Sequence, residues 1–163
     1  MLGILACPDV GGDTVFADTE EAYRYSSPSL SPYSIAHCCR RFSPGFQRII
    51  DPLRVAHTSA KMINHVKSVG GHVRRDPIEK VHPIVRKHPV THEKSLWVNE
   101  EFTTQIVDFK PEESDWLIKK LVQHVTVGHD FQARVSWERG SVVMFDGRNT
   151  LRRVLGRNKS KLY

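Results

Sequence analysis

Two hydrophobic periods stand back to back in the last third of the chain. Leu117, Ile118, Leu121, Val122 and Val125 recur at helical spacing, after Pro111-Glu-Glu-Ser114, which places acids in a first helical turn. Phe131, Ala133, Val135 and Trp137 then alternate with Gln132, Arg134 and Ser136, the period of a strand with one face inward. Glu138 to Gly140 reads as a turn and Ser141-Val-Val-Met-Phe145 as a buried strand. A chain that changes period in this way folds with helices and strands in one body.

The rest of the chain repeats the theme in shorter pieces. Met1 to Cys7 is a short apolar run, read as a strand. Gly11-Gly-Asp-Thr14 is a turn, and Thr14 to Ala17 a second strand. Asp18, with Glu21 three residues on, opens a short helix through a capping box. Ser43-Pro44 is an N-cap followed by proline at the first helical position, and Phe46, Ile49 and Ile50 supply that helix with an apolar face. Leu53 to His57 is strand-like, and Ala60 to Val69 is helical until Gly70-Gly71 ends it. His82 to Arg86 and Ser95 to Val98 are strands joined by a turn at Val90 to Lys94. No internal repeat is present. The fold class that follows is α+β, mainly β: a sandwich or barrel of short strands decorated by helices.

Charge narrows the function classes. The net charge is +6, but Arg148, Arg152, Arg153, Arg157, Lys159 and Lys161 carry all of it, and the remainder balances 18 basic against 18 acidic residues. A body-wide footprint for nucleic acid is therefore not expected. No apolar run is long enough to span a bilayer, and the N-terminal run has no basic lead of the secretory kind, so the cytoplasm is the expected compartment. Cys7, Cys38 and Cys39 are odd in number and two are adjacent, so neither a disulfide framework nor structural zinc is expected. His82, His88 and His92 share even spacing, but Pro83 and Pro89 interrupt any common strand, and they read as separate turn and surface histidines. His129-Asp130 is adjacent, so its side chains leave an extended strand on opposite faces. Glu20-Glu21 and Glu112-Glu113 read as acids of helix first turns.

Six segments in order carry a resemblance. Val10-Gly-Gly-Asp-Thr-Val-Phe16, His82-Pro-Ile-Val-Arg-Lys-His-Pro89 and Ser95-Leu-Trp-Val-Asn-Glu-Glu-Phe-Thr-Thr104 are followed by Glu112-Glu-Ser114, Asp130-Phe-Gln-Ala-Arg-Val135 and Phe145-Asp-Gly-Arg-Asn-Thr150. Together they resemble the taurine dioxygenase-like family of Fe(II)/2-oxoglutarate-dependent dioxygenases, in its fungal sulfonate dioxygenase flavour, over residues 1–24 and 41–151. The resemblance implies a double-stranded β-helix, or jelly roll, with flanking helices, here incomplete. It implies Fe(II) held by two histidines and a carboxylate, with 2-oxoglutarate as co-substrate. Oxidative decarboxylation to succinate and CO2 would drive hydroxylation of a small acid such as taurine, and a hydroxylated sulfonate collapses to aldehyde and sulfite.

Residue by residue, the resemblance gives Thr14 to the 2-oxoglutarate carboxylate and Phe102 to the substrate pocket. It leaves the iron ligands unmatched, so the expected metal ligands are none and the chain is expected to be inactive alone. The family's His-x-Asp pair precedes the glycine turn by a couple of dozen residues, and only ten residues precede Gly11 here. The second iron histidine falls at Arg152, a permanently charged guanidinium that does not ligate iron. Arg157 is too early to match the family arginine for the 2-oxoglutarate carboxylate. Residues 25–40 are an irregular insert whose removal joins Arg24 to Arg41 in a family-like junction, as a retained intron would, and 152–163 form a basic tail unlike the family. The expected partners are a small sulfonate or related acid, and a second copy or a full-length relative. The alternative is a non-catalytic fragment or pseudoenzyme that associates with such relatives.

Overall fold

The computed structural model describes residues 1–4, 11–24, 42–73 and 75–154. The insert at 25–40, the last three residues of the N-terminal apolar run, Arg157 and the end of the basic tail lie outside them.

In chain order the elements are β1 (Leu2–Gly3), β2 (Thr14–Asp18), α1 (Thr19–Tyr23), α2 (Pro44–Ile50), β3 (Arg54–Thr58), α3 (Ala60–Ser68) and β4 (Glu79–Pro83). They continue with β5 (Val85–Lys87), β6 (Lys94–Leu96), β7 (Thr103–Ile106), α4 (Pro111–Val127), a 3-10 turn (His129–Phe131), β8 (Gln132–Val135), β9 (Val142–Val143) and β10 (Thr150–Val154). Every pairing is antiparallel. Two three-stranded sheets, ordered β10-β2-β8 and β4-β3-β7, are accompanied by the pairs β1-β9 and β5-β6. Helices hold as many described residues as strands do, so the balance is mixed rather than mainly β.

Local signals account for the element boundaries. Gly11 and Gly12 both have φ above +80°, a backbone that glycine adopts without strain, and the chain turns there into β2. The Asp18 carboxylate accepts the N–H groups of Glu20 and Glu21 at 2.9 and 3.2 Å, which starts α1. The Ser43 hydroxyl accepts the Phe46 N–H and starts α2. At α4 the Glu113 side chain reaches back to the Lys110 N–H at 3.2 Å. Helix α3 stops before Gly70, whose φ is +73°.

The core lies between α4, α1, α2 and the two larger sheets. Ile50, Val55, Ile84, Ile106, Leu121 and Val125 are completely buried, each contributing roughly 1.5–3 kcal/mol of transfer free energy. The α4 face expected from its periodicity is the face that packs: Leu117, Ile118, Leu121 and Val125 are buried and Val122 partly so.

Several expectations are corrected. Ser141–Phe145 is not a buried strand: Val142 is 61% and Met144 82% exposed, because β9 pairs only with the two residues of β1. The alternation at 131–137 buries Phe131 and Trp137 but leaves Ala133 exposed, because β8 is an edge strand. Ile49 faces outward, and the inward face of α2 is carried by Ile50 and Phe46. His82–Arg86 is not one strand. It breaks at the buried Ile84, with β4 joining the β3 sheet and β5 pairing with β6.

Candidate functional site

A cavity of about 580 Å³ opens between the β4-β3-β7 sheet, the start of α3 and the beginning of β10. His57 and Thr58 of β3, Lys80 and His82 of β4, and Ser59 and Met62 at α3 form one side. The loop after β6 contributes Trp97, Asn99, Glu101 and Phe102; Phe145, Thr150, Leu151 and Arg152 close the other side.

Hydrogen bonds shape the loop that carries Phe102. The Asn99 N–H donates to the Thr103 hydroxyl at 2.9 Å, and the Glu101 N–H donates to the Asn99 side chain at 2.7 Å. Thr103 is buried, and its hydroxyl lies 3.1 Å from His57 Nε2. The His57 ring meets His82 edge-on at 5.5 Å and stands 6.4 Å from Trp97. The Arg86 guanidinium lies over the Trp97 ring at 4.6 Å. Burial lowers the His57 pKa, and charge on His82 and on Arg86 adds to the effect. These effects favour the neutral form of the ring between the sheet and the loop.

Of the two residues assigned by resemblance, Phe102 lines this cavity and Thr14 does not. Thr14 is buried on β2, and its hydroxyl accepts the indole N–H of Trp137 at 3.0 Å. The three hairpin histidines part company. His82 enters the cavity wall and His92 sits in an exposed turn with φ of +61°. His88 is buried, correcting the reading of a surface residue. Its Nδ1 accepts the Val90 and Thr91 N–H groups at 3.3 and 3.1 Å, and its Nε2 lies 3.3 Å from Asp146. Because Nδ1 accepts twice, Nε2 carries the proton and donates to the carboxylate. Arg148 and His88 hold the Asp146 carboxyl well below the usual carboxylate range. His129 and Asp130 are both exposed.

His57 was missed in the sequence. The available signal was its parity with Val55: two residues apart on one strand, they face the same way, and a histidine on an apolar face demands a partner. Trp97 and Phe145 were singled out only as parts of motifs.

A facial iron site needs three histidine or carboxylate donors converging on one point. Among the described residues no group of three or more His, Cys, Asp or Glu side chains could hold a metal ion. Arg152 of β10 lines the cavity as a cation. The described residues do not fit Fe(II).

Comparison with known proteins decides the ancestry. The profile of the taurine catabolism dioxygenase TauD, TfdA family matches residues 1–151. The chain belongs to the TauD/TfdA family. It is 39% identical over 141 residues to the alpha-ketoglutarate-dependent sulfonate dioxygenase of Saccharomyces cerevisiae, covering 86% of this chain and 30% of that protein. It is 38% identical over 146 residues to the alpha-ketoglutarate-dependent dioxygenase cnsM of Penicillium expansum, covering 88% of this chain and 36% of that one. The crystal structure of a taurine dioxygenase from Burkholderia xenovorans superposes with a TM-score of 0.65 at 27% identity, covering 93% of this chain and 43% of the other. The chain thus spans about a third of the length of these curated TauD/TfdA relatives. Among the described residues no helix is long and apolar enough to cross a membrane.

Proposed function

We propose that this TauD/TfdA chain is a catalytically silent portion of an Fe(II)/2-oxoglutarate-dependent dioxygenase whose substrates are small sulfonates or related acids. In this reading its small antiparallel sheets are parts of a double-stranded β-helix with flanking helices. Phe102 is a substrate-pocket residue, Thr14 stands at the position that meets the 2-oxoglutarate carboxylate in an intact relative, and the setting is cytoplasmic. The observation that carries the reading is the cavity that Phe102 shares with Arg152. It supports a retained pocket wall next to a position that cannot bind metal. The family match and the sulfonate dioxygenase relative support the substrate class.

The test is anaerobic titration of the 163-residue chain with Fe(II) and 2-oxoglutarate, monitored for the weak visible charge-transfer band of the chelated complex. No band and no tight iron is the expected result. A stoichiometric band would overturn catalytic silence.

A second reading, association with a full-length relative, is supported by the β10-β2-β8 sheet, which leaves one side of β8 and one of β10 unpaired among the described residues. Co-elution of this chain with a full-length relative in size-exclusion chromatography is the expected result of that reading. Separate elution at all concentrations argues against it.

A further inference from the structure

We propose that the outer face of α4 joins two copies of this chain as a twofold antiparallel helix pair centred on Trp116, with Glu112 against Lys120 of the second copy and Glu113 against its Lys119. This face shares no residue with the cavity that holds Phe102, and it is distinct from the edges of β8 and β10.

The first ground is the surface itself. Leu117, Ile118, Leu121 and Val125 commit one face of α4 to the core. The opposite stripe carries Glu112, Trp116, Lys120 and Gln123 at helical spacing, and all four are exposed. Trp116 is 60% exposed. It stands between two hollows, one of about 430 Å³ that includes Phe109 and Leu117, the other of about 720 Å³ that includes Phe46 and Leu121. Tryptophan is enriched in interface cores, and a ridge with an apolar hollow on either side can meet a copy of itself across a twofold axis.

The second ground is charge. Positions 112 and 120 lie equally far on either side of Trp116, as do 113 and 119, and each pair matches an acid with a lysine. A twofold axis at Trp116 therefore sets Glu112 and Glu113 of each helix against lysines of the other, and indole beside indole. A parallel pair in register would set acid against acid and lysine against lysine. Complementarity thus selects both the occupant, a second copy, and its antiparallel direction. Glu112, Lys119 and Lys120 make no ion pair among the described residues. Glu113 spends one carboxylate oxygen on the Lys110 N–H, at 3.2 Å, and keeps the other. One helix face makes a small interface, so the pair is a reversible dimer.

The experiment is sedimentation equilibrium of the full chain across a wide range of concentration. The wild type should pass reversibly from monomer to dimer, and high salt should favour the monomer by screening the exposed pairs. Glu112→Lys or Lys120→Glu should each weaken the dimer about tenfold, since either change is felt twice across the axis. Trp116→Ala should weaken it by about tenfold or more. An equal mixture of the Glu112→Lys and Lys120→Glu chains should recover a dimer, because every pair between them is again of opposite sign. The double exchange Glu112→Lys/Lys120→Glu should recover it within one chain. Misfolded variants cannot imitate this rescue. A wild type that stays monomeric at all concentrations overturns the proposal. So does a dimer indifferent to these charges, or one that mixing fails to restore. Binding of a full-length relative through this face without self-association gives it a different occupant and overturns the proposal as well. None of these outcomes bears on iron binding, so catalytic silence stands or falls separately.

Discussion

Trp137 donates its indole N–H to the hydroxyl of Thr14 across 3.0 Å, and both side chains are buried. The bond ties the end of the β8 segment to the first residue of β2, on the sheet that also carries β10. Removing the acceptor deletes a buried hydrogen bond, whose net contribution is about 0.5–1.5 kcal/mol. Thr14→Val, nearly the same shape, should lower stability by that amount in urea denaturation. Thr14→Ser should remain near wild type.

His88 organises the turn before β10. Its ring accepts two backbone N–H groups and donates to Asp146, whose carboxylate also holds Arg148. His88→Phe fills similar space but leaves the Val90 and Thr91 N–H groups without that acceptor, at a cost of about 1–3 kcal/mol. Carboxyl titration by NMR should find Asp146 ionised at pH values where ordinary carboxylates are protonated. Arg148→Ala should bring it back toward the usual range.

Acid should weaken the fold through two histidines. Burial lowers the pKa of His124, and burial with charge on His82 lowers that of His57. Below the unfolded value of about 6.5 the unfolded chain therefore binds more protons than the folded one. The stabilisation is present above about pH 6.5 and is lost as pH falls through the lower folded-state values. Urea midpoints should decline as pH falls below about 6.5. His124→Gln, which can still donate to the Ala22 carbonyl now 2.8 Å away, should flatten that decline.

Ser114 is a polar residue on the buried face of α4. Its hydroxyl accepts the Ile106 N–H at 2.8 Å, with both residues buried, and so joins the helix to β7. Ser114→Ala should cost about 1–3 kcal/mol by leaving that N–H unsatisfied. Amide hydrogen exchange at Ile106 should report the loss locally.

Gly128 follows α4 where the Phe131 ring folds back. A Cβ there would sit 2.1 Å from the ring tip of this buried phenylalanine. Gly128→Ala should destabilise by about 1–3 kcal/mol through overpacking. The additional substitution Phe131→Leu should recover part of the loss in a thermal melt.

Features set by near neighbours in the chain were legible. Asp18, Ser43 and Glu113 cap helices within three residues of themselves, and Gly11, Gly12 and Gly70 turn the backbone where they stand. The α4 face followed from its own period. Burial of strands did not follow, since it depends on what covers each face. Met144 sits in an apolar run and Ala133 on the apolar side of an alternating strand, yet both face solvent, while His88, next to Pro89, is buried against a carboxylate 58 residues away.

The candidate site divides in the same way. Phe102 was found because its motif stands in family order. Arg152 was placed there by the same motif order, whereas His57 and Lys80 became cavity residues only when elements from separate parts of the chain were brought together.

By itself, the sequence determined the family, the helix boundaries and the presence of a permanent cation at position 152, because motif order, capping and guanidinium chemistry are local properties. Tertiary structure decided which histidine faces the cavity, which hydroxyl is already bonded and which cations remain free. Those outcomes depend on contacts between residues far apart in the chain, and no local pattern encodes the far side of a contact.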